Sequence, residues 1–193
     1  MAKLHYRFIR DELEPALILA GRNESGAATP KAIRSLLGSY TNHNALILRR
    51  PSGFSVGDTT PPRAAIVPLE HYEDLMNAGT YVVRIWKVRS ITPEEAQRVS
   101  DIWVNECNGV DYPEKGIYRL WVFRFVNHLP YEIPGKWCTK NTVHPFSFVL
   151  PAARNPRTRT DGVLKLNPTP RTMENRLVSG VLEDVTDRVI ELA

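Results

Sequence analysis

The stretch Tyr40-Thr-Asn-His43-Asn-Ala-Leu-Ile-Leu48-Arg-Arg-Pro51-Ser-Gly53-Phe54-Ser-Val56-Gly-Asp58 decides the fold class. A polar loop runs into an apolar segment, Ala45 to Leu48, that reads as a strand. Pro51-Ser-Gly53 is turn chemistry, because proline pre-sets φ and glycine supplies conformations that other residues avoid. Phe54-Ser-Val56 then reads as the returning strand of a hairpin, and strands joined by so short a turn must run antiparallel. His43 stands immediately before the first strand, where a rigid element can aim its ring into a cleft.

Upstream, Pro15-Ala-Leu-Ile-Leu-Ala20 is a short apolar run closed by Gly21, the pattern of a buried strand, and Gly21 to Ala28 reads as a loop. Thr29-Pro30 opens a short helix: Thr29 can cap it, Pro30 suits the first helical position and Gly38 can end it. Ile33, Leu36 and Leu37 supply an apolar face. Downstream come Ala64-Ala-Ile-Val-Pro68 and a short element around Leu69 to Met76. Tyr81-Val-Val-Arg-Ile-Trp86, rich in β-branched and aromatic residues, is the clearest strand in the chain. Thr92-Pro-Glu-Glu95 is a capping box whose helix runs to about Cys107 and turns Ala96, Val99 and Trp103 to one side.

Beyond Asn108-Gly109, Ile117 to Val126 favours helix over strand, and Lys136-Trp-Cys138-Thr-Lys-Asn-Thr-Val143 reads as the first turns of another helix. A helix from Thr169-Pro170 to about Leu177 and a strand or helix within Val178 to Ile190 close the chain. The expectation is one α+β domain over residues 1–193. Its antiparallel sheet of about five strands comes mostly from the first half, with helices packed on it.

The composition, 42% hydrophobic and 24% charged, is that of a soluble globular protein. The net charge of +4 could favour an anionic partner such as nucleic acid or cell wall polymer. With no basic tail or block of like charge, nucleic-acid binding is not expected. No run approaches the ~18 apolar residues of a membrane span. Met1 to Asp11 mixes Lys3, His5, Arg7 and Arg10 with apolar residues, so no signal peptide is read. The chain is expected to be made in a cytoplasm, with any outside action requiring another route of delivery. Only two cysteines, Cys107 and Cys138, are present, too few for a disulfide framework or a thiolate zinc site. No cofactor is expected.

Cysteine hydrolysis needs a thiolate, a base to form it and a polar group to orient the base. A thiol at a helix N-terminus is favoured further by the helix dipole. Cys138 fits, because a loop with Pro134 and Gly135 delivers it to the start of a helix. Cys107, late in its helix, reads as structural. Among five histidines, His43 is the leading base. His5 and His71 read as surface residues, and His128 and His144 lie in loops near the cysteine.

Several segments, in order, resemble the circularly permuted NlpC-type, papain-like amidases and hydrolases. Pro30-Lys-Ala-Ile33-Arg34 to Gly38-Ser39 resembles that family's first helix, and Tyr40-Thr-Asn42-His43-Asn-Ala45-Leu46 its histidine strand. Phe54-Ser-Val56-Gly-Asp58, Ala65-Ile-Val-Pro68-Leu69-Glu-His-Tyr72 and Gly109-Val-Asp111-Tyr112 match the segments that follow. Trp137-Cys138-Thr139-Lys140 is similar to the nucleophile motif, and Thr169-Pro170 to a trailing helix. The likeness runs from about Pro15 to Met173. Permutation would explain why histidine precedes cysteine.

Asn42 stands where the family has serine, Lys140 replaces a glutamate, and the family's Tyr-Asp order appears as Asp111-Tyr112. Gly57 aligns with the family's acidic position. Asp58 therefore needs a bulge or a shifted register to orient His43, and Ser55 or Glu70 could serve instead.

The resemblance implies a nucleophile helix in the C-terminal half, with Cys138 across a cleft from His43. It also implies hydrolysis of amide bonds in peptides or peptidoglycan, with lipid acyl amides or esters, or acyl transfer, as a second class. A different expectation is a catalytically degenerate binding or structural protein of a phage or secretion assembly on the same fold. The basic pI of 9.2, the Pro/Arg-rich stretch Pro151 to Arg159 and the altered residues around Cys138 point that way.

Overall fold

The computed structural model describes residues 5–112, 173–174, 177–178 and 180–193. The expected helices within 117–177 and the nucleophile segment around Cys138 lie outside the described residues, apart from 173–174 and 177, which are helical.

The hairpin forms as the turn chemistry dictates. Strand β3 (His43–Arg50) pairs antiparallel with β4 (Gly53–Thr60), with Arg50 opposite Gly53, and Gly53 takes the positive φ of 109° that the tight reversal requires. β2 (Ile18–Asn23) lies on the other side of β3, and β5 (Arg63–Pro68) on the other side of β4. β6 (Tyr81–Val88) flanks β2, and β7 (Leu182–Asp184), from the far end of the chain, flanks β6. The result is a six-stranded antiparallel sheet of order β5-β4-β3-β2-β6-β7, one strand more than expected. The added strand is β7, whose three residues carry too little pattern to distinguish strand from helix. β1 (Tyr6–Phe8) and β8 (Ile190–Leu192) form a separate two-stranded ribbon.

Among the described residues, α2 (Leu69–Asn77) packs on one face of the sheet and α3 (Pro93–Ile102) on the other. α2 buries Leu69, Tyr72 and Met76 against Leu19, Ala45, Ile47, Val56, Val83 and Ile85. α3 buries Ala96 and Val99 against Ile18, Ala20, Leu46, Leu48, Trp86 and Val88. These two sets alternate along the strands, as a two-faced sheet requires. Both bonds of the α3 capping box form: Thr92 Oγ1 accepts from the Glu95 N–H, and Glu95 Oε2 accepts from the Thr92 N–H. The helix then relaxes into a wider π-type turn over Trp103–Cys107 that seats Trp103 and Cys107 in the core.

Two boundaries differ from the sequence reading. The first helix, α1 (Ala28–Leu37), begins before Thr29, with Ala27 at its N-cap; Gly38 ends it in the left-handed conformation, as expected. Gly21 does not close β2. The strand continues to Asn23 because Gly21 pairs with His43 and the Tyr81 ring, at Cε1 and Oη, lies where a Cβ would stand. Glycine there serves close packing, not a turn.

Candidate active site

His43 is the first residue of β3, and three local contacts fix its approach. The Asn42 N–H donates to the Gly21 carbonyl (2.9 Å), and Asn42 Oδ1 accepts from the Asn23 N–H (3.0 Å). Ser39 Oγ donates to the Thr41 carbonyl (2.7 Å). Glu174, far along the chain, accepts at Oε1 from both the N–H (2.7 Å) and the hydroxyl (2.9 Å) of Thr41. Asn42 thus has a structural bond of its own. Glu174 stands two residues from the histidine's entry only through tertiary folding, and no local pattern around it announces that.

The β3–β4 register sets Leu46 opposite Gly57 and Ile47 opposite Val56. Continued by one step, it places Asp58 opposite Ala45, on the α2 face and one diagonal from His43. His43 Nε2 and Asp58 Oδ1 lie 2.5 Å apart, the carboxylate nearly buried and the ring 17% exposed. The bulge or slip expected for Asp58 is absent. Gly57 points to the opposite face, where a Cβ would meet the Trp103 indole at 2.6 Å. Ser55 shares that opposite face, its hydroxyl buried with no partner among the described residues, and Glu70 pairs with Arg10 at the surface. Neither joins His43.

Burial alone pushes the Asp58 carboxyl up. The charge of His43 and hydrogen bonds from His43, the Tyr72 hydroxyl and the Thr59 N–H outweigh it and hold the group below its ordinary 3.8. Asp58 is therefore an ionised, acceptor-only group, so Nε2 must carry the proton that bridges them. In neutral His43 the lone pair then sits on Nδ1.

Tyr72, 1% exposed, and Tyr81 wall the pair, their rings edge-to-face at 5.6 Å. Burial first, then the negative charge of Asp58, raises both phenols above their usual range, so both stay protonated. Tyr72 lies in a matched segment, but its role required the fold to bring α2 over β4.

The sign of the Asp58 shift makes a prediction. A folded-state value below 3.8 means that the stabilisation is present above 3.8 and is lost as pH falls through the lowered value. The stability gap between wild type and Asp58→Asn, followed by urea denaturation, is expected to close only on that acid side. A gap persisting undiminished at about pH 2 would show that the carboxylate is not what stabilises the pair.

The other sequence candidates separate from this site. His5 joins Ala193 through backbone bonds in the ribbon, and His71 packs edge-on against Tyr72. Cys107 is 2% exposed, and burial, followed by the nearby Glu106 charge, pushes its thiol up to about 12. Cys138, His128 and His144 lie outside the described residues. Among the described residues, no three His, Cys, Asp or Glu side chains converge to hold a metal, and no helix is long and apolar enough to cross a membrane.

No family model and no curated protein matches the chain. Among solved structures, it is similar to the crystal structure of metalloprotein yiiX from Escherichia coli O157:H7, DUF1105. That likeness covers 63% of this chain and 71% of the other, at 13% identity and a TM-score of 0.43.

Proposed function

We propose that this chain is a papain-like cysteine hydrolase of the permuted NlpC type, acting on amide bonds in peptides or peptidoglycan. One observation carries the reading: the 2.5 Å contact between His43 Nε2 and a buried, ionised Asp58, which leaves Nδ1 as the basic nitrogen. That is the arrangement a base–orienter pair needs, with the anion holding the ring and stabilising the imidazolium that forms. The order of sequence segments supplies the nucleophile, Cys138.

In this reading His43 Nδ1 takes the Cys138 thiol proton, and the thiolate attacks the amide carbonyl. The tetrahedral intermediate collapses as His43 returns the proton to the leaving amine. A water, deprotonated by His43, then attacks the acyl-enzyme thioester and releases the acid and the free thiol.

Iodoacetamide labelling followed by mass spectrometry tests the pair. Cys138 is expected to label at pH 7 at least about tenfold faster than an unperturbed thiol, and His43→Ala is expected to abolish the excess. Cys107, with its thiol at about 12, is expected to stay unmodified in the native protein. Labelling of Cys138 at the ordinary rate, unchanged in His43→Ala, would exclude the hydrolase and leave the degenerate binding protein in its place.

A further inference from the structure

The sheet has a second feature, on the opposite flank of β2 from the histidine strand. The Ile85 carbonyl accepts from the Val185 N–H (2.8 Å), and the Ile85 N–H donates to Thr186 Oγ1 (2.9 Å). Ile85 therefore directs its backbone groups away from β2. Alternate residues of a strand share that direction, so the N–H and C=O of Val83 and Tyr81 point the same way. β7 covers only Trp86 to Val88, and at Thr186 the chain leaves the sheet as the short helix α4 (Thr186–Val189). Among the described residues, nothing pairs with the outward groups of Tyr81 and Val83.

This half-edge forms one wall of a groove of about 440 Å³. Tyr6, Met76, Val83, Ile190 and Leu192 make its apolar lining. Tyr6 and Leu192 face each other across the β1–β8 ribbon and are 44% and 49% exposed, large apolar side chains left to water beside an open edge. Three charges also line the groove: Arg84, Asp187 and Glu191. Arg84 stands 3.8 Å from Asp184, and Glu191 is held by Arg7. Asp187 alone of the three has no ion pair among the described residues, so the uncompensated charge is negative.

We propose that this groove binds an extended peptide segment, which adds to the Tyr81–Arg84 edge as a strand collinear with β7 and sets a basic side chain against Asp187. Donors and acceptors repeating every second residue are complementary to another extended backbone. Side chains at alternate positions enter the Tyr6–Leu192 lining. A second copy of the sheet is a poorer occupant, because residues of α4 and of the β1–β8 ribbon line the groove beside the edge and stand in the way of a second sheet. The proposal does not rest on the hydrolase reading: neither His43 nor Asp58 lines the groove, although Tyr81 borders both the groove and the pair.

The probe is a blocked peptide, acetyl-Lys-Val-Thr-Val-Thr-amide, titrated into the ¹⁵N-labelled full chain with amide shifts and hydrogen exchange followed by NMR. The Tyr81 and Val83 amides are expected to shift saturably, with a Kd on the order of 1 mM or tighter, and to exchange more slowly when bound. Val83→Pro deletes an outward N–H without touching the ladder to β2, a substitution that edge strands accept. It is expected to weaken binding about tenfold or more. Asp187→Asn, which leaves the backbone alone, is expected to weaken binding of the lysine peptide but not of its alanine analogue. Unmoved Tyr81 and Val83 amides, equal binding by a peptide N-methylated at its central residues, or a dimer that Val83→Pro dissociates would each overturn the proposal. Loss of the Cys138 labelling excess would not bear on it.

Discussion

In the proposed hydrolase, Asp58→Asn is expected to leave a folded protein whose Cys138 labels about 10–100-fold more slowly at pH 7 and whose amide hydrolysis falls about 10²–10⁴-fold. The reason lies in the donors around the carboxylate. The His43 Nε2–H, the Tyr72 hydroxyl and the Thr59 N–H all converge on two acceptor oxygens. A carboxamide offers one oxygen and turns an NH₂ toward one of those donors. If it faces His43, the ring must accept at Nε2 and carry its proton on Nδ1, the wrong tautomer for a base. Even with the oxygen facing His43, the imidazolium loses its counter-charge in a site where burial makes that charge matter.

The cheapest readout is the pH profile of labelling. The wild-type thiol should react well below the ordinary cysteine range, and the variant's profile should move back toward it. His43→Ala combined with Asp58→Asn should be no worse than His43→Ala alone, because both act through one base. An Asp58→Asn protein with wild-type near-UV circular dichroism and wild-type labelling would remove Asp58 from the mechanism, leaving a structural ion pair.

The second large effect concerns Gly57, which aligns with the acidic position of the family that the sequence resembles. Gly57→Asp is expected to abolish cooperative folding or lower Tm by about 10–20 °C. A Cβ there would stand 2.6, 2.7 and 2.8 Å from the Cε2, Cδ2 and Cζ2 atoms of Trp103. Trp103 is 1% exposed and held by Val99, Cys107 and the sheet, so it cannot swing clear. Alanine alone should cost about 1–3 kcal/mol by overpacking, and aspartate adds a buried carboxylate without a partner, several kcal/mol more. Against a total stability of about 5–15 kcal/mol, that sum is close to the whole. Moving the carboxylate one position, as Gly57→Asp with Asp58→Asn, should restore nothing, since residue 57 points away from His43. Gly57→Ala melting within about 2 °C of wild type would show that the Trp103 contact is looser than its geometry implies.

Much of the fold was legible one segment at a time. Pro51-Ser-Gly53 declared a hairpin, Tyr81 to Trp86 a strand and Thr92 to Glu95 a helix start. Each signal is local, a matter of turn φ, β-branched periodicity or reciprocal capping bonds, and each is complete within a few residues. The start of α1 and the end of β2 depart from their local signals for a related reason. Thr29-Pro30 and Gly21 carry strong local preferences, but the helix begins two residues before the proline, and the glycine answers to the Tyr81 ring.

The sequence by itself determined the antiparallel α+β class and the placing of His43 at the mouth of a central strand. It also named Asp58, Ser55 and Glu70 as candidate partners of that histidine. Only the tertiary structure decided among them. Side chains alternate every residue along a strand, so the choice between position 57 and position 58 is a choice of sheet face. That face is set by which residues pair across β3 and β4, by Trp103 claiming one side and by Tyr72 and Tyr81 closing the other. Glu174, holding Thr41 from the far end of the chain, belongs to the same class of fact: a contact between residues distant in sequence leaves no local pattern to read.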